Sequence, residues 1–89
     1  MKKYHDLVWD ASNVEHISRH NVSPDEVEQA VFGPSCHIRR GKGEGIYYAF
    51  GLAEGGRHLF IVMRDLPGGV GRVISARDMS HKERKLYRQ

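Results

Sequence analysis

Three glycine-rich segments, Gly41 to Gly45, Glu54-Gly55-Gly56 and Pro67-Gly68-Gly69, cut the second half of the sequence into short stretches. Glycine supplies the backbone freedom that a tight reversal demands. Connections this short can join only antiparallel neighbours, because a parallel pair needs a crossover of about a dozen residues or more. From Cys36 the apolar period moves toward two, which predicts strands over about 36 to 40, 46 to 52, 58 to 64 and 70 to 77. The third, His58-Leu59-Phe60-Ile61-Val62-Met63-Arg64, is apolar on both parities and is expected at the centre of the sheet.

The first half reads as two short helices. Asp10 is placed to cap the first, on which Val14 and Ile17 share a face, and Asn21 tolerates the left-handed conformation that closes a helix. Ser23-Pro24-Asp25-Glu26 then combines a capping serine, proline at the first helical position and glutamate in the capping-box position. Gly33-Pro34 ends that helix, and Ser80 with Glu83 announces a third. The expected fold is α+β: two N-terminal helices, a four-stranded antiparallel meander sheet and a C-terminal helix.

At 89 residues the chain has room for one core, and residues 1–89 are read as a single domain. The lone cysteine, Cys36, excludes an intrachain disulfide framework. Without an apolar run of about 20 residues, no membrane partner is expected and a cytoplasmic protein is the default. The net charge of +3 permits a polyanionic partner without specifying one. Its placement says more, because Arg57, Arg64, Arg72, Arg77, Lys82, Arg84, Lys85 and Arg88 all follow Gly56, against Asp65, Asp78 and Glu83.

Several of these residues suit RNA chemistry. A histidine near neutrality can take the proton of a ribose 2′-hydroxyl, and His20, at the end of the first helix, is the candidate; a backbone-bonded helix-end histidine is the plainer reading. Guanidinium groups stabilise charge developing on phosphorus without a metal, which singles out Arg64, Arg72 and Arg77 on two neighbouring strands. Arg77 has the opposite simple parity to Arg72, so a bulge or strand end must bring the two together. Glu83 is read first as a helix cap, and Tyr87 as a docking ring with a free hydroxyl. Arg39, Arg40, Lys42, Arg84, Lys85 and Arg88 are candidates for longer-range RNA contacts. Tyr47, Tyr48 and Phe50 offer stacking surfaces if they are not all core. His16 and His20 have the spacing of a helical metal pair but lack an evident third ligand, so no metal or other cofactor is expected. Gly41-Lys42-Gly43-Glu44-Gly45 lacks the residues and context of a phosphate loop.

Trp9-Asp10, His16 to Ser23, the Gly51 region, Leu59 to Val62, and above all Val73-Ile74-Ser75-Ala76-Arg77 with Glu83-Arg84 and Tyr87 together resemble the BrnT toxins. The resemblance implies a RelE-like fold and a ribonuclease toxin of a type II toxin–antitoxin system. Its partners would be an RNA substrate and a BrnA-like antitoxin, with operator DNA bound only through the antitoxin complex. It also implies metal-independent cleavage through the RNA's own 2′-oxygen, with active positions at His20, Arg64, Arg72, Arg77, Glu83 and Tyr87. Two departures stand out: Asn21 replaces a usual glycine, and Ile46 stands where many relatives carry arginine. The alternative reading is a noncatalytic module that binds nucleic acid or antitoxin, a degenerate toxin that would survive loss of His20. A purely structural subunit would instead bury its arginines in carboxylate pairs. An apolar patch left for the antitoxin would also offer a route to a homodimer.

Overall fold

The computed structural model describes residues 2–88. It contains strand β1 (Asp6–Val8), helices α1 (Ala11–Ser18) and α2 (Pro24–Phe32), strands β2 (His37–Arg40), β3 (Ile46–Leu52), β4 (His58–Leu66) and β5 (Val70–Asp78), and helix α3 (His81–Tyr87). The sheet has five strands in the order β1-β5-β4-β3-β2. The expected four-stranded antiparallel meander is therefore corrected. A strand precedes the helices and pairs parallel to β5, with Leu7 opposite Gly71 and Val8 opposite Arg72. Asp6-Leu7-Val8 is too short to carry a period of its own, and its partner lies more than sixty residues away, so nothing local announces it. Strand β4 is central, pairing with β3 over His58 to Arg64 and with β5 over Leu59 to Leu66.

All three helices begin at the capping residues visible in the sequence. Asp10, Ser23 and Ser80 each accept from the N3 amide, and the N3 side chains of Asn13, Glu26 and Glu83 reach back to the cap backbone. Asn21 adopts a φ of 58°, which lets the chain turn sharply between α1 and α2.

Helices α1 and α2 cover one face of the sheet. Ile17 and Val27 meet Leu59, Ile61, Met63 and Val73, all with no more than 1% of their surface exposed. Each such burial contributes about 1.5–3 kcal/mol. Asn13 is the one buried polar residue among those described: its amide donates to the carbonyls of Val8 (2.8 Å) and Val73 (3.0 Å), and its oxygen accepts from the Asp10 amide. It ties α1 to both β1 and β5. Asn13→Leu would orphan two buried carbonyls, so a loss of about 2 kcal/mol is expected. Thermal unfolding should then show a fall of roughly 8–16 °C.

Arg57 holds the corner between the layers. Its guanidinium donates to the carbonyls of His20 and Asn21, to Glu26 at 3.1 Å and to Asp78 at 2.7 Å. Arg57 keeps the Asp78 carboxyl below its ordinary 3.8, while the Ser23 amide, followed by Arg57, keeps Glu26 below its ordinary 4.5. Carboxyls depressed on folding stabilise the protein above their unfolded values and lose that contribution as pH falls through the folded ones. Melting temperature is therefore expected to drop as pH falls below about 4.5. Arg57→Ala should flatten that acid slope, and a slope unchanged in the variant would remove Arg57 from the effect.

A candidate nucleic-acid interface on the open sheet face

Strand register sets the other face of the sheet in rows that run across the strands. His37, Phe50, Phe60 and Arg77 form one row; Arg39, Tyr48, Val62 and Ser75 form the next; Ile46, Arg64 and Arg72 form a third. The helices α1 and α2 lie on the opposite side, over Leu59, Ile61 and Met63. This open face is aromatic along its middle: Tyr48 and Phe50 each bring a ring centroid within 5.1 Å of Phe60. Guanidinium groups flank it, with Arg77 4.4 Å above the Phe60 ring and Arg39 5.0 Å above Phe50.

The parity conflict between Arg72 and Arg77 is resolved by a bulge. Val62 pairs with Ser75 and Met63 with Val73, which leaves Ile74 as an extra residue in β5. A bulge shifts alternation by one, so Arg72 and Arg77 project from the same face as Arg64. They do not converge on one point. Arg64 stands directly opposite Arg72, but it lies four positions along β4 from Phe60, the partner of Arg77. At about 3.3 Å per residue that is about 13 Å, the reach of two phosphates rather than one.

The three arginines differ in their partners. Arg77 donates to both Glu83 oxygens, at 2.8 and 3.0 Å, and to the Asp78 carbonyl. A guanidinium has five N–H donors, so two remain. Arg77 holds the Glu83 carboxyl below its ordinary 4.5. Arg72 pairs with Asp10, the cap of α1. Arg64 is exposed and makes no ion pair among the described residues.

Helix α3 closes one end of the face without burying any residue of its own. Glu83 fastens it through Arg77. Tyr87 fastens it at the other end: its hydroxyl donates to the Ser35 carbonyl at 2.8 Å, and its ring stands edge-on to His37 and His58. Burial, then the charges of Arg84 and Arg88, lower the His58 imidazole from its ordinary 6.5. Between α3 and β2 lies a cavity of about 260 Å³ lined by His37, Ile38, Arg39, Phe50, Glu83, Leu86 and Tyr87.

The remaining sequence-selected residues lie elsewhere. His20 is exposed at the α1–α2 corner, where its carbonyl accepts from Arg57, and among the described residues no hydrogen bond or ion pair joins it to Arg64, Arg72 or Arg77. Arg40, paired with Tyr47, falls on the helix side of the sheet. Lys42 is exposed in the β2–β3 loop, its amide donating to the Tyr48 hydroxyl. Arg84, Lys85 and Arg88 are exposed on and just beyond α3. Among the described residues, no three His, Cys, Asp or Glu side chains gather as metal ligands. His37, which the sequence does not single out, also lies on this face, and its parity with Arg39 on a predicted strand is the signal that places it there.

A comparison with curated proteins returns no match. Residues 9–83 match the family model described as ribonuclease toxin, BrnT, of type II toxin–antitoxin system. The chain belongs to the BrnT family. It is a ribonuclease toxin, and a cognate antitoxin is its partner. The two departures from the BrnT pattern have different structural weight. Asn21 takes the left-handed conformation that glycine also adopts without strain. Ile46 pairs across the strands with Arg64, so arginine there would extend the Arg64–Arg72 row to three guanidinium groups.

Proposed function

We propose that the open sheet face binds RNA and that its α3 end cleaves the strand without a metal. The observation that supports this most is the Ile74 bulge, which turns Arg72 and Arg77 to the same side as Arg64 and the aromatic rings. In the proposed reaction the ribose 2′-hydroxyl gives its proton to a base and its oxygen attacks phosphorus. The bond from phosphorus to the 5′-oxygen breaks, and that oxygen takes up a proton. Products are a 2′,3′-cyclic phosphate and a 5′-hydroxyl end. The two uncommitted donors of Arg77 stabilise the charge on the phosphoryl oxygens, Glu83 orients Arg77, and Arg64 and Arg72 hold a second phosphate of the same strand.

The proton acceptor proposed here is His37, which shares a cavity with Glu83 and Tyr87. His20, across the corner from that cavity, is proposed to hold the fold rather than the substrate. The pH–rate profile separates the two. His37→Ala is expected to lower the rate about 100-fold and to remove the limb set by deprotonation of the base, whereas His20→Ala keeps it. The reverse pattern would return the role to His20.

The reading as a whole is tested with labelled RNA, nuclease-free protein and excess chelator, with Arg72→Ala beside the wild type. Cyclic-phosphate ends that weaken with the variant support it. Cleavage that stops in chelator would overturn the metal-free mechanism. Operator DNA is proposed to be bound only through the antitoxin complex, and the site of action is proposed to be the cytoplasm. A homodimer is proposed to form in the absence of antitoxin.

A further inference from the structure

The cavity between α3 and β2 has a chemistry that phosphate binding does not use. Its floor is Phe50, 8% exposed, and its rim is Leu86, 56% exposed. Apolar walls with a few placed polar groups are the mark of a ligand pocket, and 260 Å³ suits a fragment rather than a large ligand. Two polar groups of opposite character, Arg39 and Glu83, are among its lining. Arg39 is exposed on Phe50 and makes no ion pair among the described residues, so its donors are free. Glu83 accepts three hydrogen bonds, two at Oε1 and one at Oε2, out of about four sites on a carboxylate, which leaves an acceptor at Oε2.

We infer that this cavity binds one unpaired nucleobase of the RNA, and that guanine fits it best. Guanine presents O6 and N7 to a guanidinium and its N1–H or 2-amino donor to the one open acceptor of the carboxylate, while a guanidinium plane or aromatic ring stacks on its face. Uracil can give N3–H to the carboxylate and O4 to the guanidinium, but it lacks N7, so it meets the guanidinium with one acceptor where guanine offers two adjacent ones. A base in a duplex cannot enter, because both its faces and its pairing edge are occupied. Arg77, bonded to Glu83, stands beside the cavity, so the captured base neighbours the phosphate it would hold. The inference rests on the open face being the RNA surface, and it adds the specificity of that surface.

The test uses 2′-O-methyl hexanucleotides, which bind but cannot be cleaved because the attacking hydroxyl is blocked. Fluorescence anisotropy compares hexauridine with the same strand carrying one guanine. The guanine strand is expected to bind about tenfold more tightly, and Arg39→Ala and Leu86→Asp are each expected to erase that difference. Both substitutions lie at exposed positions, so the fold should tolerate them. Equal affinity for the two strands, or a guanine preference untouched by both variants, would overturn the pocket. Wild-type protein that cuts RNA in chelator without guanine preference overturns the pocket alone. Guanine-selective binding without cleavage overturns the proposed chemistry and leaves the pocket standing.

Discussion

Arg77→Ala is expected to reduce RNA cleavage by about 100-fold or more while leaving the far-ultraviolet circular dichroism unchanged. Removing a donor aimed at developing transition-state charge typically costs two to three orders of magnitude in rate. Arg77 also anchors α3 through Glu83, so the variant loosens that helix as well as deleting the guanidinium. Glu83→Ala separates the two effects, since it releases α3 but keeps the charge. If the arginine acts on the phosphate, Glu83→Ala should lose about tenfold, well short of Arg77→Ala, and Arg77→Lys should restore little because an ammonium lacks the planar fork. Equal losses in Arg77→Ala and Glu83→Ala would make Arg77 a positioning residue. A folded Arg77→Ala protein that cuts at the wild-type rate would remove it from the reaction.

Gly51→Ala is expected to destabilise the protein by about 3 kcal/mol, the upper end of what overpacking a close-fitted site usually costs. A Cβ at this position would lie 2.4 Å from the Ala30 carbonyl oxygen and 2.9 Å from its carbon. Both belong to the backbone of α2, so no side-chain rotation relieves the contact; the helix must move off β3. Against a total stability of 5–15 kcal/mol for typical domains, Gly51→Val should approach complete unfolding. Gly55→Ala is the matched control. That residue has a φ of 89° but nothing within 4 Å of the new atom, so only the backbone cost of about 1 kcal/mol is expected. Denaturant midpoints for the two alanine variants that coincide would contradict the packing account.

Local chemistry made much of this architecture legible. The caps at Asp10, Ser23 and Ser80, the left-handed Asn21 and the central position of β4 all rest on neighbours a few residues apart, and each is where the sequence pointed. Strand β1 was not legible because its three residues gain their meaning from β5. The same limit applies to the candidate site. That Arg72 and Arg77 needed a bulge to share a face followed from counting, but which residue bulges depended on pairing with β4. His37 entered the site through the packing of Tyr87 across two strands, and the hold of Arg57 on Glu26 and Asp78 joins three separate segments. Neither contact leaves a mark in any short window of sequence. The family resemblance was legible because it draws on widely spaced residues together, and the match over residues 9–83 bears it out.

The parallel pairing of β1 with β5 also sets an order of events at the ribosome. Val8 cannot find its partner until Arg72 has been made. At about 5–20 residues per second the early strand therefore waits roughly 3–13 s, carrying Leu7 in solvent. All three rows of the open face draw on β5, so they too are assembled only once β5 has been made. Under the proposed function, the growing chain therefore cannot cut RNA until β5 has joined the sheet. Pairings between distant segments fold slowly, which lengthens that interval.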